Sequence, residues 1–222
     1  MITALGFYLV GLLSQGAPTG GASLGAKPIV DNERVSVWDV TVTPDKPGPA
    51  PSGRYLTVRT YVTGGTFKIT HADGTSSTVT RKAGDVVVSA KGKVDREELA
   101  SAGGSARVIT TELKDHPVPP MKNASGYPNA FPRPGSKKVF DNDRISVWDY
   151  RWTPRVPTPM HFHDKDVVVT YLEDGDLSSK TPAGEVTVNE YKTGMTRFNA
   201  RDRAHTEELS KGTQRAIIVE LK

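Results

Sequence analysis

The sequence predicts an all-β protein made of two tandem copies of one sandwich or barrel. Three observations lead there. The chain repeats itself at an offset of 110 residues, each copy breaks into short strand-like runs between glycine turns, and no stretch sustains a 3.6-residue apolar period. With 222 residues the chain is long enough for two small domains that each bury a core.

The repeat is the firmest of the three. Residues 26–45 (AKPIVDNERVSVWDVTVTPD) align without a gap on residues 136–155 (SKKVFDNDRISVWDYRWTPR), with ten of twenty positions identical. The same offset matches Pro47 with Pro157, Tyr61 with Tyr171, Gly65 with Gly175, Gly74 with Gly184 and Gly84 with Gly194. Only the last strand shifts, by two residues, where VITTELK answers AIIVELK.

In chain order, the first element is the apolar run Ala4 to Leu13, followed by small residues to Ala17. Ten residues are too few to span a bilayer as a helix, but they match the apolar region of a secretory signal, so residues 1–17 read as a signal peptide and the protein as exported, periplasmic or secreted. No basic residue precedes the run, and the first charge is Lys27. The first copy then occupies 26–115, with strands expected at 35–42, 55–62, 66–70, 77–81, 85–89 and 107–113, rich in β-branched residues and broken at Gly64-Gly65, Asp73-Gly74 and Ala83-Gly84. Residues 116–135 are proline-rich and read as an extended linker, or as an arm wrapping one barrel. The second copy fills 136–222, with strands at 145–152 and 167–172 and the counterparts of the rest. Helix is expected to be minor, at most a turn at 95–101 and 206–210. Trp38 and Trp148, which match across the copies, are expected to fill a barrel or its lid.

Composition narrows function. A net charge of +4 with acidic residues interleaved throughout, no basic run and no zinc-finger spacing argue against nucleic acid as a partner. The absence of cysteine excludes disulfides, thiolate metal sites and cysteine nucleophiles. The histidines carry the chemistry. In PTPMHFHDKD, His161 and His163 are two apart, so on a strand they project from one face toward one point. His205 is the natural third ligand. Neutral imidazoles suit Fe, Mn, Zn, Ni or Cu as one divalent ion. The first copy has Pro51, Gly53 and Asp95 at the matching positions, so imidazole ligation is excluded there.

The second copy resembles the cupins. That family's first motif, Gly-x5-His-x-His-x3,4-Glu-x6-Gly, is approximated by HFHDKDVVVTYLEDG, and its second, Gly-x5-Pro-x-Gly-x2-His-x3-Asn, by GMTRFNARDRAHTEEL. His161, His163 and His205 fall on the histidine positions, and Gly175 and Gly194 on two of the glycines. The resemblance implies two double-stranded β-helix (jelly-roll) barrels in one chain, a bicupin. The departures are Val168 at the glutamate position, Ala200 at the proline, Asp202 at the second glycine and Leu209 at the asparagine. Asp166 could replace the missing carboxylate if the strand bulges there.

What the resemblance implies for function is a metal-dependent enzyme of dioxygenase, isomerase or lyase type acting on a small oxygenated molecule. Asp166 or Glu207 would then carry the proton. Arg197, Tyr171, Tyr191 and Thr170 are candidates for the substrate side, and an arginine there would favour a carboxylate. The alternative is a non-catalytic module that binds a small ligand, with the metal structural or absent. Barrels of this kind pair within a chain or between chains, so a homo-oligomer is among the arrangements expected.

Overall fold

The computed structural model describes residues 27–48, 52–93, 95–100 and 104–222. The first 26 residues, including the expected signal segment, and Pro51 lie outside the described residues. The first copy supplies β1 (Val30–Asp31), β2 (Val35–Val42), β3 (Leu56–Tyr61), β4 (Gly65–Thr70), β5 (Ser76–Arg81), β6 (Val86–Ser89), β7 (Arg96–Leu99) and β8 (Ala106–Leu113). The second supplies β9 (Ser136–Asp141), β10 (Ile145–Arg151), β11 (His161–His163), β12 (Asp166–Tyr171), β13 (Gly175–Lys180), β14 (Val186–Tyr191), β15 (Thr196–Asn199), β16 (Arg203–Gly212) and β17 (Arg215–Leu221). Every pairing between these strands is antiparallel.

Each copy folds into two facing sheets. In the first they are β1-β2-β8-β3-β6 and β5-β4-β7; in the second, β15-β12-β17-β10-β9 and β11-β16-β13-β14. The two segments expected to form a helical turn are strands instead. Glu97 and Leu99 pair with Ile69 and Phe67, and Glu207 and Leu209 pair with Ser179 and Leu177. Alternate residues there meet the core and the ladder satisfies the backbone, which outweighs the helix propensity of the glutamates.

The two five-stranded sheets share one apolar core. Val35, Val37, Val58, Ile109 and Leu113 of the first copy cluster with Ile145, Val147, Val168, Ile217, Val219 and Leu221 of the second. This explains why Val167–Leu172 reads as a continuous apolar run: one face of β12 fills its own barrel and the other faces the neighbouring barrel. Polar contacts at the rim of the interface come in matched pairs. Arg34 reaches the Lys222 carbonyl as Arg144 reaches that of Lys114, and Arg107 reaches the Thr193 carbonyl as Arg215 reaches that of Ala83. Gly84 and Gly194 recur for this reason. Both have positive φ (+88° and +83°), and a Cβ on either would fall within 2.5 Å of the arginine from the other barrel.

The first barrel is filled by its own side chains. Arg59 pairs with Glu97 at 3.1 Å, and the Tyr61 hydroxyl donates to Glu97 at 2.5 Å above Phe67. The space left beside them is about 20 Å³. Of the two matching tryptophans, Trp148 is buried, with Nε1 donating to Glu220, whereas Trp38 is half-buried. Residues 128–131 lie along β11, with Phe162 N donating to Pro128 O and Ala130 N to Phe162 O. Among the described residues no helix is long and apolar enough to cross a membrane.

Candidate metal centre

β11 and β16 pair so that His161 stands directly across from His205 and His163 across from Arg203. Period-two alternation turns His161 and His163 to one face and Phe162 to the other. On β16 the same alternation aligns Arg203, His205 and Glu207, all three of which bound the interior cavity. The three imidazoles are 2%, 6% and 8% exposed, and one nitrogen from each lies within 4.8 Å of the others.

Burial is the main cause that keeps these rings neutral. It pushes His161 down to about 3, with the Arg133 guanidinium adding to the effect, takes His163 well below its ordinary value and lowers His205 as well. The neutral ring is the form that ligates a metal. His161 Nδ1 lies 2.8 Å from the Pro159 carbonyl, which can only accept, so the proton is on Nδ1 and Nε2 offers its lone pair. Both ring nitrogens of His163 and Nε2 of His205 are buried without a hydrogen-bond partner. Orphaned buried nitrogens are costly unless something else binds them, and one nitrogen from each of the three converging rings fits a divalent ion that prefers imidazole.

Arg133, from the segment before β9, is packed over the rings of Phe131 and Tyr150 at 4.7 and 4.1 Å. Its Nη1 donates to His161 Nε2 at 2.7 Å and its Nη2 pairs with Glu207 at 3.2 Å. Glu207 also accepts from Trp152 Nε1 at 3.2 Å. Burial is the largest single influence on Glu207 and opposes its ionisation, but the surrounding groups, Arg133 foremost, together outweigh it and hold the carboxyl at about 2. At neutral pH Glu207 therefore accepts hydrogen bonds or a proton and has none to give. Tyr171 stacks on Tyr191 with ring centroids 3.9 Å apart, and burial, then Tyr191, raises its pKa well above the usual value, so it remains a phenol. The cavity beside these groups measures about 170 Å³.

The structure brings His161, His163, His205, Glu207, Arg197, Tyr171 and Tyr191 to this one place. It does not bring Asp166 or Thr170. β12 runs without a bulge against both β15 and β17, so 166, 168 and 170 project away from the cavity while Val167, Val169 and Tyr171 line it. Asp166 instead pairs with Arg34 at 2.5 Å and accepts from the Arg201 amide, linking the two barrels. Thr170 accepts from the Thr196 hydroxyl. Val168 is buried in the shared core, and the carboxylate of this cavity is Glu207. Asp202 has φ +64°, a left-handed conformation that aspartate tolerates better than most residues.

Phe131, Arg133, Trp152 and Arg203 were not among the expected residues. Arg203 could have been found by stepping back two from His205. Phe131 and Arg133 carry no local signal, because their place depends on how the segment before β9 lies across the barrel.

No family model matches the chain. The β-alanine degradation protein BauB of Pseudomonas aeruginosa is 38% identical over 61 residues, 28% of this chain and 60% of that protein. The chain thus spans less than two thirds of that relative's length. Among solved structures, a cupin 2 conserved barrel domain protein from Leptotrichia buccalis superposes with a TM-score of 0.52 at 12% identity over 88% of this chain and 87% of its own. Oxalate decarboxylase of Bacillus subtilis, described with Mn(II) centres, does so with a TM-score of 0.54 at 10% identity over 86% of this chain and 69% of its own. By its fold, two antiparallel double-sheet barrels in tandem, the chain is similar to solved cupin structures.

Proposed function

We propose that the C-terminal barrel holds one divalent transition-metal ion on His161, His163 and His205 and acts on a small oxygenated molecule in the adjoining cavity. The observation that carries this reading is the set of unpartnered buried nitrogens on His163 and His205 beside a neutral His161. A bound ion would supply Lewis acidity toward an oxygen of that molecule. The chain's own groups supply the rest. Glu207 offers an ionised carboxylate that can accept a proton, Tyr171 keeps its phenolic proton, and Trp152, Tyr171 and Tyr191 line the cavity. The Mn(II) centres of oxalate decarboxylase and the name of BauB, which concerns a small amino acid, agree with a metal and a small substrate.

Elemental analysis of the purified protein tests the site. The expected result is close to one transition-metal ion per chain, lost in both His161→Ala and His205→Ala. Protein that takes up no Fe, Mn, Zn, Ni or Cu would remove the reading. A non-catalytic ligand module is the second reading, favoured by Arg133, which already occupies His161 Nε2 and pairs Glu207. Turnover of small oxygenated substrates, followed by oxygen uptake or product analysis, separates the two. Export is proposed on residues 4–17, with cleavage near Gly16 expected in N-terminal sequencing of exported protein; an intact Met1 on cytoplasmic material would refute it.

A further inference from the structure

Three arginines reach the cavity of the C-terminal barrel, and only one has a carboxylate partner. Arg133 pairs with Glu207. Arg197 donates to the Tyr191 hydroxyl at 3.2 Å, and Arg203 gives its Nε to the Ala200 carbonyl at 2.8 Å. Among the described residues neither Arg197 nor Arg203 forms an ion pair, and Glu207 is the sole acid bounding the cavity. With the imidazoles neutral, the lining carries an excess of two positive charges. A metal ion would add to it. Arg203 is partly buried and Arg197 is exposed at the cavity mouth, so the uncompensated charge on Arg203 is the costlier, and an anionic ligand reaching both relieves it.

The kind of anion follows from the rest of the lining. A guanidinium presents a planar fork that pairs with a carboxylate through two parallel hydrogen bonds. The remaining wall is aromatic and aliphatic, with Trp152, Val169 and the stacked Tyr171 and Tyr191, which suits a carbon skeleton more than a bare inorganic anion. The volume of about 170 Å³ is well below that of clefts for drug-sized ligands, roughly 300–1,000 Å³. We infer that this cavity binds a small carboxylate of a few carbons, its anion taken by Arg203 and Arg197 and its carbons laid against the tyrosine stack. The inference rests on the reading of this cavity as the ligand site, but not on the metal being present.

Propanoate and propanamide are nearly isosteric and differ in charge, so they are suitable probes. Calorimetric titration of the full chain, both metal-loaded and chelator-treated, is expected to show propanoate binding at least about tenfold more tightly than propanamide, the ratio set by one charge-assisted pair. Arg203→Gln and, at the cavity mouth, Arg197→Gln are each expected to weaken propanoate by about tenfold and leave propanamide and metal content unchanged. Arg203→Lys keeps the charge and checks that any loss is not one of folding. Equal affinity for the two probes, inorganic phosphate bound as tightly as propanoate, or folded variants that bind like the parent would overturn the inference. So would carboxylate binding that disappears with the metal and ignores both arginines. A chain that takes no metal yet discriminates propanoate from propanamide keeps the carboxylate subsite and removes the metal reading alone.

Discussion

His163→Leu should stabilise the metal-free protein while abolishing metal binding. His163 is 6% exposed, and neither of its ring nitrogens has a hydrogen-bond partner. An unsatisfied buried polar group costs about 1–3 kcal/mol, and an apolar side chain of similar volume removes that cost for two such atoms. After allowance for imperfect fit, a net gain of about 1–3 kcal/mol is expected in chelator. For a chain of this length that is a rise in Tm of roughly 2–12 °C. Urea and thermal unfolding, each with EDTA and with added metal, provide the assay. In saturating metal the order should reverse, because the parent gains about 4.1 kcal/mol at a thousandfold excess over Kd and the variant gains nothing. A chelator-treated His163→Leu protein less stable than its parent by more than about 2 kcal/mol would refute the reasoning, since it would mean that the imidazole is satisfied in the fold.

Lowering pH should destabilise the metal-free protein. The folded imidazoles titrate below the ordinary 6.5, His161 at about 3, so between those values the unfolded chain binds protons that the folded one does not. Stability is then fully present above about 6.5 and falls as pH drops, by about 3 kcal/mol at pH 4.5 for His161 alone, measurable by urea titration across pH. Arg59→Met should cost about 1–3 kcal/mol by leaving buried Glu97 with only the Tyr61 hydroxyl and Arg81 at 4.0 Å, with no change in metal content, and metal loss would show that the first barrel bears on the metal site. Gly194→Ala should lower Tm by loosening the contact with Arg107 as well as straining a positive φ, and Arg107→Ala should relieve part of the loss; absence of that coupling in a double-mutant cycle would count against the interface.

Much of the fold was legible because duplication supplied an internal alignment. Two copies of one pattern gave the strands, their turns and the contrast between a three-histidine barrel and one with Gly53 and Asp95 in the same places. The histidine pair was legible because a strand's period of two is local. What stayed hidden was set at long range. β7 and the middle of β16 looked polar enough for a helical turn, since only their ladder partners make them strands. The role of Asp166 depends on a second barrel lying against its outer face, where Arg34 meets it. Arg133 is 28 residues from His161 in a proline-rich segment, and nothing near it in sequence shows that its guanidinium reaches that ring.

X-ray absorption at the metal edge of the loaded protein tests the central claim most directly. Three imidazole nitrogens at about 2.0–2.1 Å, with the outer-shell scattering of intact rings, are expected for zinc loading, falling to two in His163→Ala. An oxygen-only shell, or a spectrum unchanged in that variant, would contradict a centre built on His161, His163 and His205.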